Sequence, residues 1–134
     1  MAEKKRYKYI CTSTFGAGYT AQELIEWYTG QHFHDILALP GMEGVQFFGE
    51  ATEQFRAIDR PQPFVVIWDI CTDDPHATFD AMRARGLDGT TVFTDAFGDW
   101  YDICVQPLSK YVTAEEARGK SVEAVAALAR REGA

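Results

Sequence analysis

A histidine and an aspartate lie three residues apart in a stretch that the sequence pattern predicts to be an amphipathic helix. The stretch runs from residue 20 to residue 39 and is followed by Pro40 and Gly41, which are typical of a helix end. Steps of about 100° per residue place both His32 and Asp35 on the apolar side of this helix. Because residues at positions i and i+3 are neighbours on a helix, the two side chains are predicted to be close enough to share a hydrogen bond.

This pair is a candidate for proton transfer. A buried imidazole or carboxylate is costly unless it is paired or used, and buried titratable pairs are enriched where enzymes move protons. We therefore interpret His32 as a catalytic general acid-base group and Asp35 as a catalytic partner that orients His32 or acts as a second acid-base group. The alternative is a satisfied core histidine, bonded to a strand backbone or to Tyr28.

The same helical wheel places three other side chains of this stretch, Trp27, Phe33 and His34, away from the apolar stripe. Trp27 and His34 fall to one side of the stripe, and Phe33 falls roughly opposite to it. His34 is therefore predicted to lie outside the site, and its separation from His32 argues against joint metal binding.

Aromatic residues make up 13% of the chain, which suits a planar, poorly charged ligand. The competing interpretation is an aromatic-rich core in which these rings contact no ligand. The residues predicted to bind substrate lie on the first helix and on predicted strands: Trp27, Tyr28, Phe47, Trp68, Trp100, Tyr101 and Asp102.

Composition narrows the classes of function. A chain of 134 residues with 46% hydrophobic residues fits one domain, residues 1–134, and has no apolar run that would span a membrane. The net charge of −7 argues against a nucleic-acid partner. Three widely spaced cysteines, Cys11, Cys71 and Cys104, are interpreted as small core residues of a cytoplasmic protein. No metal-ligand spacing or nucleotide fingerprint is present, so neither metal nor cofactor is expected.

The order of predicted elements indicates the fold. Strands are predicted at residues 6–14, 45–51, 64–71 and 99–106, and helices at residues 20–39, from 74 to a stop at Gly86, and from 113 to about 131, with an ordered loop at 87–98. The order β-α-β-β-α-β predicts a ferredoxin-like α+β fold, in which two helices cover one face of a four-stranded antiparallel sheet, plus a C-terminal helix. The third and fourth strands are apolar on both faces, which favours a homodimer through the open sheet face.

The first helix also carries a family resemblance. Trp27-Tyr28, His32, Asp35-Ile36 and Pro40-Gly41, on the first helix of a chain of this order, resemble the EthD-like branch of the dimeric α+β barrel superfamily. The resemblance covers about residues 6–108 and leaves 109–134 as a C-terminal extension. It implies a dimer joined sheet to sheet, with His32 facing an apolar pocket between the helices and the sheet of each subunit. The superfamily includes monooxygenases, isomerases, cyclases, decarboxylases, dehydratases and some haem proteins.

Three functions follow as alternatives. The preferred one is a cofactor-independent lyase or isomerase, of dehydratase or decarboxylase type, that acts in aromatic compound metabolism on a small aromatic or polyketide-like substrate. The second is a monooxygenase without an organic cofactor, or a haem enzyme with His32 as axial ligand. The third is a non-catalytic dimer that binds a small molecule. Arg56 and Arg60 are candidates to close over an anionic group, and the sequence assigns no role to His34 or to residues 86–98.

Overall fold

The protein is described by a computed structural model that covers residues 3–59, 61–94 and 96–131. Its four strands form one antiparallel sheet in the spatial order β2-β3-β1-β4. The strands are β1 (Lys5–Phe15), β2 (Met42–Gly49), β3 (Phe64–Thr72) and β4 (Phe97–Val105). With helices between β1 and β2 and between β3 and β4, this is the predicted ferredoxin-like α+β fold.

The first helical segment contains a change of hydrogen-bond register. It consists of α1 (Ala21–Trp27), a π-helical turn (Tyr28–His32) and α2 (Phe33–Leu37). Within the π turn, the N–H of Phe33 donates to the carbonyl of Tyr28, five residues earlier. The predicted helical conformation of this stretch is confirmed, but the prediction of a single regular helix is wrong.

The second helix, α3 (Pro75–Asp88), begins where the sequence predicts and ends later. The side chain of Asp74 caps it by accepting a hydrogen bond from the N–H of Ala77 at 3.2 Å. Gly86 does not stop the helix, contrary to the prediction. The helix ends instead at Gly89, whose φ of 84° is the left-handed conformation of a C-terminal cap.

The C-terminal extension forms two short helices rather than the single predicted one. They are α4 (Ala114–Ala117) and α5 (Val122–Ala129), and Gly119 with φ of 76° lies between them. The extension folds back on its own start, because the N–H of Lys110 donates to the carbonyl of Ala129 at 2.8 Å.

The two faces of the sheet differ in their cover. One face packs against the helices, and Trp68 at its centre is only 1% exposed. On the opposite face, Ile67, Ile10 and Ile103 lie side by side on β3, β1 and β4. The sheet is therefore apolar on both faces, as predicted. Among the described residues, none of the helices is both long enough and apolar enough to span a membrane.

Candidate active site

A cavity of about 530 Å³ lies between the covered face of the sheet, the first helical segment and α3. This size is typical of sites for small organic molecules, and most of the wall is apolar or aromatic. The lining residues are Tyr9, Cys11, Tyr28, His32, Ile36, Trp68, Met82, Arg83, Gly86, Leu87, Phe93 and Trp100.

His32 lies in this wall inside an aromatic cage. Its ring stacks on Trp27 with centroids 4.4 Å apart, and the rings of Tyr28 and Trp68 approach it edge-on at 5.0 Å and 5.6 Å. Nδ1 is buried and has no hydrogen-bond partner among the described residues. Burial disfavours the imidazolium and lowers the pKa of His32 to about 4, although the charge of Asp35 opposes the shift. The imidazole is therefore neutral at neutral pH and able to accept a proton.

The π turn brings Trp27 and His32 together. Residues five apart differ by about 140° around a regular α-helix, so a wheel cannot stack them. A turn with hydrogen bonds from i to i+5 places such residues one above the other. The same turn shifts the residues that follow: Phe33, predicted to lie opposite the apolar stripe, packs edge-on against Trp68 with centroids 5.7 Å apart. That prediction was wrong because the wheel assumed one uniform helix.

Asp35 is buried, at 8% exposure, but its carboxylate forms hydrogen bonds with groups other than His32. It accepts hydrogen bonds from Gln31 Nε2 at 2.9 and 3.0 Å and from the N–H of Val92 at 2.9 Å, and it lies 3.0 Å from His34 Nδ1. The N–H of Val92, with smaller contributions from Gln31 and His34, lowers the pKa of Asp35 to about 2. No hydrogen bond among the described residues joins Asp35 to His32. A catalytic role for Asp35 stays a prediction.

The bond from Asp35 to Val92 fixes the loop that closes one side of the cavity. The next residue, Phe93, contributes its ring to the wall. This ring lies against α3 so closely that a Cβ on Gly86 would meet Phe93 Cε2 at 2.8 Å. Gly86 was interpreted as a helix stop, but in the structure it allows the Phe93 ring to pack against α3.

A second polar group occupies the sheet wall. Tyr9 is 8% exposed, and its hydroxyl donates to Asp102 Oδ2 at 2.5 Å. Cys11 lies directly opposite Asp102 in the β1–β4 pairing, and its thiol also interacts with the Tyr9 hydroxyl. Burial raises the pKa of Tyr9 above its ordinary value and raises that of Cys11 to about 12, so both groups stay protonated.

The predicted substrate-binding residues separate into three groups. Tyr28, Trp68 and Trp100 line the cavity. Three others lie one layer behind it: Trp27 stacks on His32, Phe47 stacks on Tyr28 at 4.6 Å, and Asp102 bonds to Tyr9. Tyr101, at 64% exposure, alternates with Trp100 and so points to the open face of the sheet, away from this cavity.

Several lining residues were missed by the sequence analysis. Tyr9 was interpreted only as part of a strand and Cys11 as a core residue, because their partner Asp102 is distant in sequence and becomes adjacent only through strand pairing. Arg83 is the lining residue with a permanent positive charge. Arg56 lies in an exposed loop and does not line the cavity, and Arg60 lies outside the described residues.

The described part of the chain contains no group of three or more His, Cys, Asp or Glu residues arranged to hold a metal ion.

Comparison with known proteins identifies the fold. No family model matches the chain, and no curated protein matches its sequence. A hypothetical Arabidopsis thaliana protein solved in solution is 15% identical with a TM-score of 0.53, over 84% of this chain and 96% of that one. A Streptomyces coelicolor monooxygenase from the gene ActVA-Orf6, solved in complex with Nanaomycin D, is 13% identical with a TM-score of 0.46, over 82% of this chain and 93% of that one. At 15% identity the likeness to the Arabidopsis protein is one of fold alone, and the EthD-like assignment stays a prediction.

Proposed function

We propose that this protein is a cofactor-independent lyase or isomerase that acts on a small aromatic or polyketide-like compound, with His32 as the general base. The observation that supports this most strongly is a neutral imidazole in the wall of an apolar cavity of about 530 Å³. The Nδ1 atom of this imidazole is buried without a partner among the described residues, which is rare for a polar atom in a folded protein.

The chemistry begins with proton abstraction. The neutral imidazole takes a proton from an acidic carbon or phenol of the substrate, which leaves a delocalised anion and an imidazolium. Burial disfavours the imidazolium, so the proton is readily returned, either to a leaving hydroxyl group in a dehydration or to another carbon in an isomerisation. The ring of Trp27, stacked at 4.4 Å, stabilises the transient cation through its π face.

The test compares His32→Ala with His76→Ala across a panel of hydroxylated aromatic and polyketide-like compounds, with products identified by mass spectrometry. His76 is a matched control because it lies on α3 with its side chain 81% exposed. We expect His32→Ala to lose turnover by about 10²-fold or more, the usual contribution of a general acid-base group, and His76→Ala to retain it. Unchanged turnover in His32→Ala would refute the proposal.

The same experiment distinguishes the alternatives. Oxygen uptake equal to product formation would assign the reaction to a monooxygenase. A haem absorption band that appears on adding haem and is lost in His32→Ala would assign His32 as an axial ligand. Ligand binding without any product would indicate a binding protein.

We further propose that the protein is a member of the EthD-like branch and forms a homodimer through the open face of the sheet. Three isoleucines in register cross this face, and Ile103 is 59% exposed. A second copy would cover these residues in the way that the resemblance implies. Sedimentation analysis should give the mass of a dimer, and Ile103→Asp should give a monomer while Val122→Asp, an exposed apolar control on α5, does not. A monomeric wild-type protein at micromolar concentration would contradict the dimer.

A further inference from the structure

We propose that the Tyr9–Asp102 pair makes the sheet wall of the cavity accept, rather than donate, a hydrogen bond, so that the site selects hydroxylated aromatic ligands. This inference rests on the proposed function, because it names the class of compound that the same cavity binds. Asp102 acts here as a positioning residue, and Tyr9 is the residue that touches the ligand.

The proposal depends on which hydrogen bonds the Tyr9 hydroxyl can donate and accept. A phenol has one proton to donate and two lone pairs with which to accept. The proton of Tyr9 is directed to Asp102 Oδ2 at 2.5 Å, so this proton is not available to a ligand. The Tyr9 oxygen can therefore offer the cavity only a lone pair. Donation to a carboxylate also polarises the phenol and strengthens its oxygen as an acceptor.

The fold holds Tyr9 in this role. Tyr9 on β1 lies opposite Cys104 on β4, so Asp102 is two residues along on the same face of the sheet, within reach of a tyrosine hydroxyl. The ring of Phe79 packs edge-on against Tyr9 with centroids 5.2 Å apart and restricts its rotation. The Tyr9 hydroxyl would have to move away from the Asp102 carboxylate before it could donate its proton to a ligand.

The nearby thiol does not replace this acceptor. Cys11 lines the same wall, but burial raises the pKa of its thiol to about 12, so a thiolate is not available to accept a strong hydrogen bond. A phenol or enol O–H is consequently matched by Tyr9, whereas a methyl ether or a quinone of the same shape presents a second acceptor to it. Two opposed acceptors in an apolar cavity leave both unpaired, which is unfavourable.

The experiment measures the binding of 2-naphthol and of 2-methoxynaphthalene by titration calorimetry. These probes share one ring system and differ in whether the oxygen can donate. Wild-type protein should bind 2-naphthol about tenfold more tightly, the effect of one hydrogen bond to a buried partner. Tyr9→Phe should bind both probes equally. Asp102→Ala frees the Tyr9 proton, so the preference should disappear or reverse.

The variants at Tyr9 and Asp102 distinguish a role in ligand selection from a purely structural role. Asp102 is exposed on its strand, so its substitution leaves the core intact even if Tyr9→Phe folds poorly. Asp99→Ala, at another exposed carboxylate of β4, is the matched control and should keep the wild-type preference. Equal binding of the two probes by the wild-type protein, or an unchanged preference in Asp102→Ala, would overturn the inference and leave the proposed function standing. Binding of neither probe would also overturn the inference, whereas the proposed function is tested separately by the turnover of His32→Ala.

Discussion

His32 and Asp35 occupy successive turns of the first helical segment, and the structure gives them opposite surroundings. His32 lies in the π turn, caged by aromatic rings and with a buried Nδ1 that lacks a partner among the described residues. Asp35 lies in α2, where Gln31, His34 and the backbone of Val92 surround its carboxylate. A buried polar group whose bonds are complete holds structure together, whereas one left incomplete beside a cavity is suited to a ligand. Burial alone did not distinguish the two.

The first test of this contrast concerns acid. The pKa of His32 is about 4 in the folded protein against 6.5 for an ordinary histidine, so the unfolded chain takes up a proton over this range that the folded protein does not. The free energy of unfolding should therefore fall as pH decreases from about 6.5 to about 4, by roughly 3 kcal/mol from this group. Asp35 stays ionised over this range, and Tyr9 and Cys11 stay protonated.

His32→Phe keeps an aromatic ring and removes the titration. Urea denaturation at a series of pH values should give a shallower dependence for this variant than for the wild-type protein. Identical slopes for the two proteins would show that the imidazole is not held neutral by its cage. The corresponding pH dependence of kcat/KM should rise through about pH 4 and then stay level, since the neutral imidazole is the active form.

The second test asks whether Asp35 is structural. Asp35→Ala leaves the N–H of Val92 without its partner and should lower the free energy of unfolding by about 2 kcal/mol. Hydrogen exchange at the Val92 amide should accelerate, and affinity for 2-naphthol should weaken because the wall formed by Phe93 loosens. Asp99→Ala is the control. Unchanged stability with a loss of turnover as large as that of His32→Ala would instead support the catalytic role predicted for Asp35.

Local patterns in the sequence predicted much of this arrangement. A threonine followed three residues later by a glutamate is the sequence signature of a capping box, and Thr20 and Glu23 form one with both bonds at 3.1 Å. Alternation along β3 groups Trp68 with Phe64, Val66 and Ile70, and these four residues form the buried face of the strand, since the side chains of a strand have a period of two. The π turn was missed because hydrophobic periodicity does not report whether backbone bonds span four residues or five.

The sequence by itself determined the order of strands and helices, the two apolar faces of the sheet and the presence of His32 on the inner side of its helix. Only the tertiary structure decided which polar groups meet. Asp35 bonds to Val92, 57 residues away, and Tyr9 to Asp102, 93 residues away. The physical reason is that a local pattern specifies whether a side chain is buried, while its bonding partner depends on how distant segments pack. His32 and Asp35 therefore share a helix face in the sequence but serve different parts of the folded protein.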